Sequence, residues 1–357
     1  MRLLTTAAVG ALVIFAGAAS ATQINTGGES GAYHASFCPR LEEQLRKSKF
    51  DYTCTPSDGS LANIERVAQN PTEIGFSQLD VYELARQGMG DSGLKVLRED
   101  VARECLFIVT RNREITSFGE IQALAPHIRF VLPPEASGST GTFRYLQTID
   151  PDGLGRAVDI SYAASTDEAI QEALSGEDIA TLFVQFPDPG SERFKSIAAQ
   201  EGNIVPVIDR AILRQEVDGR KIYYAEETEI AMPKWNRSAP TMVTACTPLV
   251  IFSGAPDRID DANQRKDQED LFRTVASLKP ADLQPKVGFF AKWWKKAKAL
   301  SAKSVEKMVE LSEQAKEAAG PMVEETMKRA KEMKDKASEA TQDLIDKAKK
   351  ATEGSGN

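Results

Sequence analysis

Apolar and polar positions along residues 22–255 switch repeatedly between strand-like and helix-like periods. Thr22–Thr26 is a short β-prone run that ends at Gly27-Gly28. From Tyr33 to Lys47 apolar residues recur four apart, at Phe37, Leu41 and Leu45, which predicts a helix. Phe50–Cys54 reads as a strand. Asp58-Gly59-Ser60 reads as a turn, with Ser60 as N-cap of a helix Leu61–Gln69. Ile74–Ser77 predicts a strand and Val81–Gln87 a helix. Glu104–Thr110 is a continuous apolar strand, and Ile128–Leu132 is another. The Ser137–Thr142 turn precedes a helix Phe143–Ile149, and Ile160 and Tyr162 mark a strand. Thr166–Ser175 reads as a helix capped by Thr166, Thr181–Phe186 as a strand, Glu192–Glu201 as a helix and Ile204–Ile208 as a strand. Thr241–Phe252 is a long apolar run. This alternation predicts an α/β fold with parallel sheets and helices on both faces. Ligands of such folds sit at the carboxyl ends of strands, where helix N-termini offer free N–H groups.

Both ends of the chain break this pattern. Residues 1–21 hold Arg2, an apolar run from about Ala7 to Ala18, and the small-x-small sequence Ala19-Ser20-Ala21, the pattern of a secretory signal peptide. The apolar run is shorter than the ~20 residues a membrane span needs, which argues against a retained anchor. No cysteine follows the cleavage site, so a lipid anchor is not expected. At the other end, residues 286–357 are rich in Ala, Lys, Glu and Met. Phe289, Phe290, Trp293 and Trp294 lie there beside Lys292, Lys295, Lys296 and Lys298. Gly320-Pro321 divides this tail into two predicted helices, about 290–318 and 322–352, with Pro321 placed at a helix start. Val323, Thr326, Ala330, Met333, Ala337, Ala340, Leu344 and Ala351 form a weakly apolar, heptad-like seam. Three uses compete for the tail: a solvated or partner-binding helix, an interfacial helix resting on anionic lipid, and a coiled coil.

Composition narrows the class. The 357 residues are 41% hydrophobic, enough for a large core in two domains or one bilobed unit. The net charge of −8 conceals an asymmetry: residues 22–285 carry 27 basic and 40 acidic side chains, whereas the tail carries 16 and 12. A body with net charge −13 is not expected to bind nucleic acid. The four cysteines, Cys38, Cys54, Cys105 and Cys246, form no CxxC pair, so neither zinc nor thioredoxin chemistry has spacing support. Export permits disulfides, and four cysteines allow three pairings as well as free thiols.

Catalysis lacks a motif. His34 and His127 belong to no HExxH spacing, no GxSxG elbow exists, and the Gly-rich start has no Walker lysine. The sequence therefore predicts no enzyme, no cofactor and no metal. What it does hold is three Gly/Ser/Thr clusters at strand-to-helix junctions: Thr26–Gly31, Asp58–Ser60 and Ser137–Gly141. Glycine admits close backbone approach, and hydroxyls with helix-end amides bind anions. Each cluster alone also reads as an ordinary turn.

These clusters sit in a recognisable frame. INTGGESGAYHA, followed by DGSLANIERVAQNPTEIGFSQLDVYELA, resembles the TAXI family of TRAP-transporter solute-binding proteins. The matching features are a TGG-x-[ST]-G-x-Y start from Thr26 to Tyr33, a GS-x-x-N element at Gly59, Ser60 and Asn63, and a G-x-x-Q-x-D strand end from Gly75 to Asp80. ASGSTGT (136–142), ATLFVQFPDP (180–189) and TMVTACTPLVIF (241–252) align more loosely, so the resemblance covers about 22–255. His34 replaces a second aromatic, Pro256–Asp270 has no counterpart, and the tail after Phe290 is foreign to the family.

The resemblance implies a bilobed type II periplasmic-binding fold followed by a helical tail. Lobe one would hold 22–106 and 244–285, lobe two 107–243, and the tail 286–357. Hinge strands near Cys105 and Cys246 would bring those two thiols together, and Cys38 on the first helix would reach Cys54. The implied ligand is a small organic anion, an amino acid or carboxylate. Thr26, Gly27, Gly28, Gly31, Tyr33, Ser60, Asn63, Gln78 and Asp80 would meet it from lobe one. Ser137, Ser139, Thr140 and Gly141, with Phe183, would close from lobe two. Asn63 and Asp80 read equally as helix caps. Arg144 is a candidate carboxylate clamp that reads equally as a solvated helix residue. The implied function is an exported, periplasmic receptor serving a TRAP-type membrane permease. The alternative is a binding fold recruited to an envelope or sensory role through its tail.

Overall fold

The computed structural model describes residues 21–90, 93–233, 238–285, 302–329, 331–332 and 336. The predicted signal peptide, the Phe289–Lys298 segment and the tail seam from Ala330 to Ala351 lie outside the described residues.

The first half is built from β1 (Thr22–Asn25), α1 (Cys38–Lys47), β2 (Tyr52–Thr55), α2 (Ser60–Gln69), β3 (Ile74–Gln78), α3 (Leu79–Met89) and β4 (Leu94–Arg98). The second half adds β5 (Arg103–Thr110), α4 (Phe118–Leu124), β6 (Arg129–Leu132), α5 (Gly138–Ile149), β7 (Ile160–Tyr162) and α6 (Thr166–Ala173). It continues with β8 (Ile179–Gln185), α7 (Glu192–Ala199), β9 (Asn203–Pro206), α8 (Arg210–Leu213), the two-residue strands β10 (Glu216–Val217) and β11 (Arg220–Lys221), and β12 (Tyr224–Glu229). The chain returns along β13 (Thr241–Gly254) and ends in α9 (Ala262–Ser277), α10 (Pro280–Leu283) and α11 (Ala302–Ala318).

The main sheet runs β2-β1-β3-β13-β5-β8-β6-β7, with β4 and β12 also on β13 and β9 on β5. Parallel pairing holds within β1, β2 and β3 and within β6, β7 and β8. The all-parallel expectation fails in the middle. There β13 runs antiparallel to β3 and β5, and β5 antiparallel to β8. The reason is topological: β5 leaves the first half and β13 comes back, so the two must run in opposite directions. The result is a bilobed α/β body with a helical C-terminal segment.

The 14-residue β13 pairs with β12 at one end and with β3 and β4 at the other. Cys246 and Cys105 are register partners on the two crossing strands and form a disulfide. Cys38 and Cys54 form the second. Both pairs are those the family resemblance implied, and both suit an oxidising compartment.

Helix starts differ in detail from the sequence reading. The first helix opens with a π-helical turn at Tyr33–Phe37. The α2 cap is Gly59 rather than Ser60, and the α6 cap is Ser165 rather than Thr166. The predicted turn Ser137–Thr142 is mostly the first turn of α5, capped by the Ser137 side chain. Several elements escape the periodicity: β4, α4, the run from α8 to β12, and α9 and α10. The α4 helix is short and begins with a capping box between Ser117 and Glu120.

The described part of the tail, 302–329, does not float free. Val309, Ser312 and Ala319 are buried, α11 packs against α4, and Met322 and Val323 pack on the largest apolar cluster, which draws residues from both halves. Arg210 pairs with both Glu306 and Glu313, and Arg329 with Glu177. The helical path resumes at 320–329 after a single turn residue, Ala319. A solvated helix is therefore not what 302–329 forms. The sequence predicts a helix here but not which surface covers it.

Candidate functional site

A cavity of about 460 Å³ opens between the two halves. One wall is the Gly27–Ser36 segment, and the other is the end of β8 with the starts of α6 and α7. Three predicted residues, Gly27, Gly31 and Tyr33, line it. Sequence reasoning missed Glu104, Gln185, Asp188, Ser191 and Arg193, which line it as well.

Tyr33 ties the walls together. Its ring stacks on Phe76 at 5.5 Å and meets Phe186 edge-on at 6.1 Å. Its hydroxyl donates to Oε2 of Glu104 at 2.7 Å. Glu104 heads the apolar strand β5 and is 5% exposed. Burial pushes its carboxyl up to about 8; Tyr33 opposes this by hydrogen bonding, and the nearby Asp80 charge adds to it. Glu104 is accordingly a neutral acid at pH 7. The same burial drives the Tyr33 phenol well above its ordinary value.

Across the cavity Arg193 sits in the first turn of α7. It donates to Asp167 at 2.7 Å and to the Gln185 side-chain Oε1 at 2.8 Å, with its guanidinium 5.8 Å from the Phe183 ring centroid. The Gln185 amide nitrogen is buried without a hydrogen-bond partner. Ser191 caps α7 and Thr166 opens α6, so two helix N-termini meet the cavity beside the arginine. One wall therefore offers donors from Arg193, which is paired with Asp167, and from two helix starts beside the Asp188 carboxylate, and the other offers the buried Glu104 carboxyl. That arrangement suits a ligand rich in acceptor oxygens.

The remaining predicted residues lie elsewhere. Gly28 is exposed. Thr26 is buried, and its hydroxyl donates to the Thr55 carbonyl at 3.0 Å. Asn63 does not cap α2 and does not line this cavity. Its amide donates to the carbonyls of Thr26 and Phe76, and its oxygen accepts from the Ser57 hydroxyl, which clamps the Gly-rich loop to β3. Asp80 accepts from the Tyr223 hydroxyl at 2.8 Å, and burial raises its carboxyl.

The second and third Gly/Ser/Thr clusters pack on each other. Ser60 donates to Gln78 at 2.6 Å, and Leu61 N–H donates to the Ala136 carbonyl at 3.2 Å. A Cβ on Gly59, whose φ is +126°, would come within 2.9 Å of the Ser137 Cα, so glycine alone fits this approach. Gly138 and Gly141 face Gln78 and Val81 just as closely. Ser137 caps α5, the Ser139 hydroxyl accepts from Val184 N–H at 3.0 Å, and Thr140 donates to the Pro133 carbonyl. Phe183 stacks on Phe107 in the core of the second half, at 5.3 Å. Arg144 is engaged by Glu135 and lies over Tyr162, away from the cavity.

Signals for the missed residues did exist. Pro189-Gly190-Ser191 is a further turn at a strand-to-helix junction, and Glu104 is an acid at the head of a buried strand.

No family model and no curated protein matches the chain. Solved structures resemble it in outline. An ABC-type phosphate transport receptor from Vibrio cholerae is 11% identical over 74% of this chain and 96% of its own, with a TM-score of 0.42. PhnD1 from Prochlorococcus marinus (MIT 9301), in complex with methylphosphonate, is 11% identical over 82% and 98%, with a TM-score of 0.43. An R. palustris protein with adipate is 15% identical over 84% and 97%, with a TM-score of 0.41. The fold class stands on the chain's own topology: two βα halves, two crossing strands, and a cavity between.

Proposed function

We propose that this protein is an exported receptor that captures a small organic anion, an amino acid or carboxylate, between its two lobes. The observation that carries the reading is the inter-lobe cavity, where Arg193, the unpartnered Gln185 amide and two helix starts converge opposite Tyr33 and Glu104. The lobes are assigned to 22–106 with 244–285 and to 107–243, and the disulfides support export to the periplasm. The TAXI resemblance adds a TRAP-type permease as membrane partner.

The test is a thermal-shift panel of carboxylates and amino acids on the mature chain, 22–357, refolded to strip any carried ligand. A ligand at ~100 times its Kd adds ~2.7 kcal/mol. A hit that disappears in Arg193→Ala supports the receptor. A flat panel from a cooperatively folding protein overturns it.

A second reading, a binding fold recruited to an envelope or sensory role, has one observation behind it. Ser60, Gln78, Gly138 and Gly141 are spent on packing between the halves rather than on the cavity.

A further inference from the structure

Two acids line the cavity, Glu104 and Asp188, and the capture of an anion does not by itself explain the buried one. Glu104 lies on its floor, on a strand that crosses between the halves, buried and tied through Oε2 to Tyr33. An ionised carboxylate there would repel the ligand that Arg193 and the helix starts attract. We propose that Glu104 is a specificity-determining residue that holds the anion only as a carboxylic acid, donating its proton from Oε1 to an acceptor oxygen of the ligand. The anion is then bound with a proton on the protein, and the site releases it when that proton is lost. The inference rests on the receptor reading above.

Titratable and charged groups face the cavity from every wall around Glu104, and the Gly27–Ser36 wall includes His34, whose Nδ1 lies 3.0 Å from the Thr26 hydroxyl. Tyr33 keeps its proton, because burial drives it well above its ordinary value. Asp80, buried behind the cavity, disfavours ionisation of Glu104 by its charge. Gln78 at the end of β3 hydrogen-bonds the Glu104 carboxyl and, like Tyr33, opposes the rise that burial causes; Thr247, the register partner on β13, carries no charge. The neighbouring Arg103 pairs with Glu226. On the facing wall Arg193 is engaged by Asp167, and Asp188 accepts from Gly190 N–H at 3.0 Å. With Glu104 releasing its proton at about 8, the site binds the anion more weakly as pH rises above that value.

The experiment is isothermal titration of the mature chain with succinate, L-malate and L-glutamate at pH 7, 8 and 9. Succinate and malate do not titrate in that window. For any probe that binds, affinity falls about tenfold from pH 7 to pH 9, as loss of one required proton dictates. Glu104→Gln, which keeps a neutral donor, removes the pH dependence, whereas Glu104→Asp retains it. An affinity that stays flat in the wild type overturns the proposal and leaves the receptor reading standing. An affinity that rises with pH also overturns it, and assigns Glu104 to a ligand ammonium instead. If no probe binds at any pH, the receptor reading fails and this inference fails with it.

Discussion

The backbone N–H of Gly119 donates to the Ser312 hydroxyl at 3.0 Å, although the two residues are 193 positions apart. A Cβ at Gly119 would lie 1.9 Å from the Ser312 carbonyl oxygen. The tail helix α11 therefore crosses α4 at a point where only glycine lets the backbones meet. Gly119→Ala should push α11 off α4 at a cost of about 1–3 kcal/mol. Hydrogen exchange should show faster amides across 302–318 with those of β1–β3 unchanged. Equal protection in both proteins would mean that the contact is not made in solution.

Cutting the chain after residue 285 should do the same more severely. It uncovers the surface beneath Val309, Ala319, Met322 and Val323 and leaves Arg210 without Glu306 and Glu313. The 22–285 fragment should unfold at lower temperature than 22–357 and bind an apolar dye. Identical melting of the two would show that the tail adds nothing to the fold.

Stability should also report the Glu104 proton. The folded state holds it up to about pH 8, while the unfolded chain releases it near the ordinary value of 4.5. Between those limits the folded state binds more protons, so Glu104 makes stability fall as pH rises, by about 1.4 kcal/mol per unit. Urea melts of wild type and Glu104→Gln should diverge across pH 5–8, with the variant gaining relative to wild type as pH rises. Parallel curves would contradict the buried neutral acid.

Asn63→Ala should be costly although no ligand is involved. It removes the donor to two buried carbonyls, those of Thr26 and Phe76, and the acceptor for Ser57. The expected loss is about 2–3 kcal/mol in urea denaturation, with Asn63→Asp also destabilising because the amide donor is gone. A loss below about 0.5 kcal/mol would place the Gly-rich loop outside the cooperative unit.

The sequence by itself determined the order and kind of most elements. Strand and helix periods depend on near neighbours, so β1, β2, β3, β5, β8 and the long β13 were visible as apolar runs, and α1 as a row of Phe37, Leu41 and Leu45. The short α4, closed by a capping box, and β4, half-buried and interspersed with Lys95 and Arg98, carried too little period to be seen.

Only the tertiary structure decided which junctions meet a cavity and which meet each other. Three Gly/Ser/Thr clusters share one composition. Yet Thr26–Gly31 contributes to a wall of the opening, while Asp58–Ser60 and Ser137–Gly141 close on one another at van der Waals range. Local sequence encodes a turn and a free helix end, and the same end serves a ligand or a neighbouring backbone equally well. The choice depends on how far apart two halves are held by β5 and β13. Likewise a helix at about 290–318 was readable from the sequence, but the cover of Val309 and Ser312, α4, lies almost two hundred residues away, a distance that no window on the sequence spans.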